Sequence, residues 1–169
     1  MKATGVRALI ALGGLLVLGA VNFAIVGKER IRSGGELVYL ELAPVDPRSL
    51  MQGDHMALRF AVTREIERND AGVPRRDGET GYASVSLNPR RVARLAAAAP
   101  AMTTDTAAQQ LKLRYRIRGG EVWLGTNAFF FEEGTAERFN AARYGEFRVD
   151  RTSGEAVLVG LRDAALGAL

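Results

Sequence analysis

From Ala8 to Val26 the sequence is apolar at every position except Asn22. About 20 such residues in helical conformation cross the hydrocarbon core of a bilayer. A helix that is apolar on all sides needs either a large protein core or lipid around it. A chain of 169 residues is too small to wrap such a rod in a core of its own, so a membrane span is expected. Gly13, Gly14 and Gly19 agree with this, because glycine is ordinary in membrane helices and costly in soluble ones. Ala8, Ala11, Gly14 and Leu15 would give the span a small-residue packing face. A cleaved signal peptide is the competing reading. Its candidate sites follow Ala20, with Leu18 at −3, and Ala24, with Asn22 at −3; neither makes an A-x-A pattern. An uncleaved anchor over residues 1–27 is therefore favoured.

Charge does not orient this anchor. Lys2 and Arg7 precede the apolar run and Lys28, Arg30 and Arg32 follow it, so counting positive charges is nearly neutral and leans towards a cytoplasmic main domain. The chain holds 23 basic and 19 acidic residues. Two of the basic groups precede the span and all the acids follow it, leaving 21 against 19 beyond the membrane. That balance does not suit a nucleic-acid binder. No cysteine is present and there is one histidine, which excludes disulfides, thiolate sites, a cysteine nucleophile and a multi-histidine metal site. A carboxylate-only calcium or magnesium site stays open, but no EF-hand loop is present, and no cofactor is expected.

Residues 28–35 end in Ser33-Gly34-Gly35 and read as a short polar linker, leaving residues 36–169 as one β-rich domain. Glu36 to Ala43 is rich in strand formers and expected to be buried on both faces. Pro44-Val45-Asp46-Pro47 breaks it, since proline lacks a ladder donor. Gln52-Gly53-Asp54 is a turn. Met56, Leu58, Phe60 and Val62 then alternate with Ala57, Arg59, Ala61 and Thr63, which predicts a second strand. Asn69 to Gly81 is a polar loop, and Tyr82 to Leu87 a third strand.

Asn88-Pro89 reads as a helix start, with Val92, Leu95, Ala96 and Ala99 on one face and Pro100 as the stop. Leu111 to Arg118 is a strand, with Leu111, Leu113, Tyr115 and Ile117 on one face and Lys112, Arg114, Arg116 and Arg118 on the other; Gly119-Gly120 turns it. Glu121 to Thr126 returns with Trp123. Thr135 is expected to cap a helix carrying Ala136, Phe139 and Arg143. Phe147 and Val149 begin another strand, Thr152-Ser153-Gly154 turns it, and Ala156 to Leu161 closes the sheet. About seven short strands and two short helices without regular alternation predict a mainly β domain, a small open barrel or sandwich, behind one transmembrane helix.

The octapeptide Gly53-Asp54-His55-Met56-Ala57-Leu58-Arg59-Phe60, preceded by Pro44 to Leu50, resembles the GDYXXLXY motif that names a bacterial family. His55 and Phe60 stand where the family has Tyr; the first keeps a planar polar ring that can titrate, the second keeps the ring without the hydroxyl. Phe130, Phe131, Glu133 and Gly134 are similar to a second region of that family, an aromatic pair followed by an acid and a glycine. The resemblance implies a protein anchored in the cytoplasmic membrane with its main domain in the periplasm or outside. It implies no particular reaction.

The expected binding surface is the motif loop, Asp46, Arg48, Gly53, Asp54 and His55, together with Phe130, Phe131 and Glu133. Its natural partner is an integral membrane protein, because the anchor confines the search to the plane of the bilayer. Asp46, Asp54 and His55 could instead form the acid–base site of a hydrolase, against the plainer reading that both Asp side chains tie down tight turns. The row Lys112, Arg114, Arg116 and Arg118 could bind lipid phosphates or an envelope polymer, against a solvated sheet face. Phe129, Phe130 and Phe131 cannot all face one way in a strand, so at least one is expected outside. The stretch Val45 to Asp54 is also similar in spacing to the signal-peptidase pattern S-M-x-P-T-L-x-x-G-D. The nucleophile position falls on Val45, which has no hydroxyl, so no peptidase activity is expected.

Overall fold

The computed structural model describes residues 3–43, 51–52, 55–69, 76–96 and 110–169. Helix α1 (Ala3–Gly34) carries the apolar run. Leu9, Ile10, Leu15, Leu16 and Phe23 are each more than 60% exposed, and no residue from Leu9 to Val26 is buried against the domain. The Asn22 amide donates to the Leu18 carbonyl at 2.9 Å, which satisfies the run's single polar side chain inside the helix. Such a helix is long and apolar enough to cross a membrane. At 1.5 Å per residue, Ala8 to Val26 spans about 28 Å, close to the hydrocarbon thickness.

The linker expected over 28–35 is helical as far as Gly34. Ile31 is buried, and Gly35 N–H donates back to the Ile31 carbonyl at 2.8 Å. Arg148 Cβ and the Val149 amide crowd Gly35 closely enough that a side chain there would have to displace them. Helix α1 is thus joined to the domain by a packed turn.

Beyond it the protein is mainly β. Among the described residues ten strands form two sheets. They are β1 (Glu36–Glu41), β2 (Met51–Gln52), β3 (His55–Ala57), β4 (Thr80–Leu87), β5 (Val92–Leu95), β6 (Gln110–Arg118), β7 (Glu121–Trp123), β8 (Ala128–Phe130), β9 (Tyr144–Val149) and β10 (Ala156–Arg162). Seven of them form a sheet in the order β10-β9-β1-β5-β4-β6-β7, curled into a half-barrel. Only β1 and β5 pair in parallel, with Tyr39 beside Val92. The curl brings the sheet's two sides together: Arg114 N–H donates to the Gly154 carbonyl at 2.7 Å. A Cβ on Gly154 would stand 3.1 Å from the Arg114 nitrogen, so glycine permits that approach.

Alternation writes the core. Val38 and Leu40 of β1, Ala83, Val85 and Leu87 of β4, Leu111, Leu113 and Ile117 of β6, and Phe147 and Val149 of β9 all point inward. β1 buries one face fully, while Leu37 and Tyr39 on the other are half-buried. The β6–β7 turn has Gly119 at φ 57° and Gly120 at φ 80°, the left-handed pair that suits a two-residue hairpin.

Three local expectations change. The strand predicted through Val62 is ladder-paired only from His55 to Ala57, and helix α2 (Ala61–Asn69) begins just after Phe60. Val62 and Ile66, one turn apart, press α2 against β1, β5 and β7. The helix predicted from Asn88 is instead a turn followed by β5; Asn88 Oδ1 does accept an N–H, from Val92 at 2.9 Å, but the chain then extends alongside β1. The helix after Thr135 is a 3-10 helix (Ala136–Ala141), and the Thr135 hydroxyl donates to the Glu132 carbonyl at 2.6 Å rather than capping it.

Candidate functional site

The smaller sheet, β2-β3-β8, brings the two motif regions together. His55 pairs with Phe130, Met56 with Phe129 and Ala57 with Ala128. The His55 and Phe130 rings lie 5.7 Å apart, tilted by 34°. Phe130 is 75% exposed, the most exposed aromatic ring in the β domain. Its neighbours turn the other way, as a period of two requires. Phe129 meets the Phe139 ring edge-on at 5.2 Å, and Phe131 lies against Phe139 at the same separation. Phe131, expected on the binding surface, therefore packs on the core, and Phe130 is the outward ring.

The second half of the motif is structural. Met56, Leu58 and Phe60 are buried, and Phe60 meets Phe147 edge-on at 5.2 Å. Leu58 N–H donates to the Asn127 carbonyl at 2.7 Å and Ala43 N–H to the Arg59 carbonyl at 2.8 Å. Arg59 reaches across to pair with Glu121. Glu133 sits exposed in a turn with Gly134 at φ 81°. Asp46, Arg48, Gly53 and Asp54, the remaining expected site residues, lie outside the described residues. Among the described residues no group of three His, Asp or Glu side chains could hold a metal ion.

At the opposite end of β1 the foot of α1 meets the domain against β9 and β10. Two clefts open there. One, of about 750 Å³, is lined by Arg30, Arg91, Arg148 and Arg151 with Glu36 and Asp150. Arg151 approaches both Glu36 oxygens, Nε at 2.5 Å and Nη2 at 3.0 Å, and Arg91 stands 3.4 Å from the same carboxylate. Asp150 accepts from Ser153 N–H at 2.6 Å, Ser153 Oγ at 2.9 Å and Thr152 N–H at 3.0 Å. Those bonds, the Ser153 amide first, hold its carboxyl below the ordinary carboxylate pKa. The second cleft, about 210 Å³, gathers Lys28, Arg114, Arg116 and Arg118 beside Trp123 and Glu155. Arg118 lies over the Trp123 ring at 5.3 Å, and Lys28 pairs with Glu155. The basic row thus keeps the outer face of β6, as its alternation predicts. Convergence of the first cleft was not legible, because its arginines come from three separated places in the sequence; only Arg30, just past the apolar run, carried a signal.

A mainly β half-barrel behind one apolar helix, with the motif's His55 half-buried beside the exposed Phe130 and its Met56, Leu58 and Phe60 in the core, defines the architectural class. The chain belongs to the GDYXXLXY protein family, whose model matches residues 17–161. Neither curated proteins nor solved structures yield a match to it.

Proposed function

We propose that this protein is a single-pass, membrane-tethered accessory domain, held outside the cytoplasmic membrane in the periplasm or exterior, that binds an integral membrane protein without catalysing a reaction. The observation that carries this reading is the exposed Phe130 ring stacked beside His55 where the two motif regions pair. An aromatic ring left in water on a short, rigid strand is an inexpensive anchor for a partner, because little side-chain freedom remains to be lost. The anchor supports the choice of partner by confining encounters to the bilayer. The six residues of β1 span about 20 Å, and the motif enters at their far end. The partner is therefore met through a part that stands above the lipid.

The outward orientation rests on the family resemblance, since the flanking charges do not supply it. Fusing alkaline phosphatase after Leu169 tests it: activity is expected, and an inactive fusion of normal abundance overturns it. Binding is tested with Asp54→Ala, which is expected to leave the domain folded and abolish co-purification with the partner. Undiminished co-purification would reject the assignment.

A further inference from the structure

We infer that the arginine-lined cleft at the foot of α1 binds the phosphate of an anionic lipid headgroup. The inference rests on the anchor reading above, and it concerns a surface separate from the motif edge and from the basic row of β6.

The cleft's height follows from the helix. The apolar run ends at Val26 and α1 continues unbroken to Gly34. Arg30 therefore stands about 6 Å along the axis beyond the last apolar residue. The headgroup layer on each side of a bilayer is about 5–7 Å deep, so the cleft mouth lies in it. Lys28, paired with Glu155 on the domain, and Gly35, packed against Arg148 and Val149, fix the helix to the half-barrel and hold the cleft at that level.

Arginines that follow a span are commonplace, and Arg30 alone would carry nothing. Here Arg91 from the turn before β5, Arg148 from β9 and Arg151 from the turn after it converge on the same concavity. Four guanidinium groups face two carboxylates, a local excess of two positive charges. Glu36 is occupied in holding Arg91 and Arg151, and Asp150 is consumed by its own turn. Arg148 donates to the Gly35 carbonyl at 3.3 Å, and neither it nor Arg30 has an ion-pair partner among the described residues. Planar guanidinium forks with unused donors in a concave, membrane-level site match a phosphate diester. A cleft of about 750 Å³ admits a headgroup, within the usual range of small-molecule sites.

The test uses the full chain in nanodiscs of phosphatidylcholine with or without phosphatidylglycerol, read by native mass spectrometry as lipid retained on the released protein. Preferential retention of phosphatidylglycerol is expected. Arg30→Gln with Arg148→Gln should lower it by at least about tenfold, since a single lost charge-assisted contact is already of that scale. Arg30→Gln alone, on an exposed side chain, should lower it in the same direction without threatening the fold. Arg138→Gln, in the 3-10 helix at the other end of β9, should match the wild type. Equal retention of the two lipids, or wild-type retention by both cleft variants, overturns the proposal. Displacement of the lipid by an equimolar amount of inorganic phosphate would assign the cleft to a soluble anion and overturn it also. Flotation of the chain with vesicles separates the two readings. A chain that floats without lipid preference contradicts the cleft alone, whereas one that does not float contradicts the anchor, and the cleft with it.

Discussion

His55 stands directly across the β3–β8 pair from Phe130, with 5.7 Å between their rings. Residues from the two family-like regions thereby meet, His55 half-buried and Phe130 exposed, while their immediate neighbours Met56 and Phe129 point into the core. This division predicts different costs for neighbouring aromatics. Phe130→Ala should change stability by no more than about 0.5 kcal/mol, as for an exposed side chain, yet weaken partner co-purification. Phe139→Ala, which removes the ring that both Phe129 and Phe131 lean on, should cost about 3–5 kcal/mol. Chemical denaturation of the two variants in detergent checks the contrast.

Gly145 makes room for the motif's last ring. A Cβ there would come 2.8 Å from Phe60 and 2.9 Å from Phe147, both fully buried. Gly145→Ala should therefore destabilise by about 1–3 kcal/mol through overpacking. Gly160→Ala, on the adjacent strand with nothing within 4 Å of its added Cβ, should be close to neutral, and the difference in denaturation midpoint reads the effect.

Glu146 is 8% exposed and pairs with Arg162, whose pKa the Glu146 carboxylate raises further. Arg162→Met leaves that carboxylate buried without its partner and should cost about 2–4 kcal/mol. Adding Glu146→Leu should recover most of the loss, since removing both charges also removes the cost of desolvating them. A double-mutant cycle measures the coupling.

The Asp150 turn predicts acid sensitivity near the cleft. Its folded pKa lies below the ordinary value of 3.8. The stabilisation it contributes is therefore fully present above pH 3.8 and fades as pH falls through the lower folded value. The melting temperatures of the wild type and Asp150→Asn should differ at neutral pH and converge below pH 3.8.

How legible the structure is in the sequence depends on how local each decision was. The β6–β7 hairpin could be read because its alternation and its two glycines are contiguous. Met56, Leu58, Phe60 and Val62 are all buried at a period of two, which hid the change to helix after Phe60: Val62 belongs equally to the strand pattern before it and to the i, i+4 pair with Ile66. At Val92 to Ala96 the helical spacing was real, but pairing with β1, more than fifty residues away, outweighed it. The contact of His55 with Phe130 needed a register that no local pattern states. The outward turn of one Phe in three followed from strand geometry, but which one did not.

Photo-crosslinking from position 130 of the full-length chain in its own membranes tests the central claim most directly. The account predicts one discrete adduct with an integral membrane protein, strongly reduced by Asp54→Ala at unchanged abundance, and no such adduct from position 116 on the basic face. Adducts with lipid alone, or a protein adduct indifferent to Asp54→Ala, would contradict it.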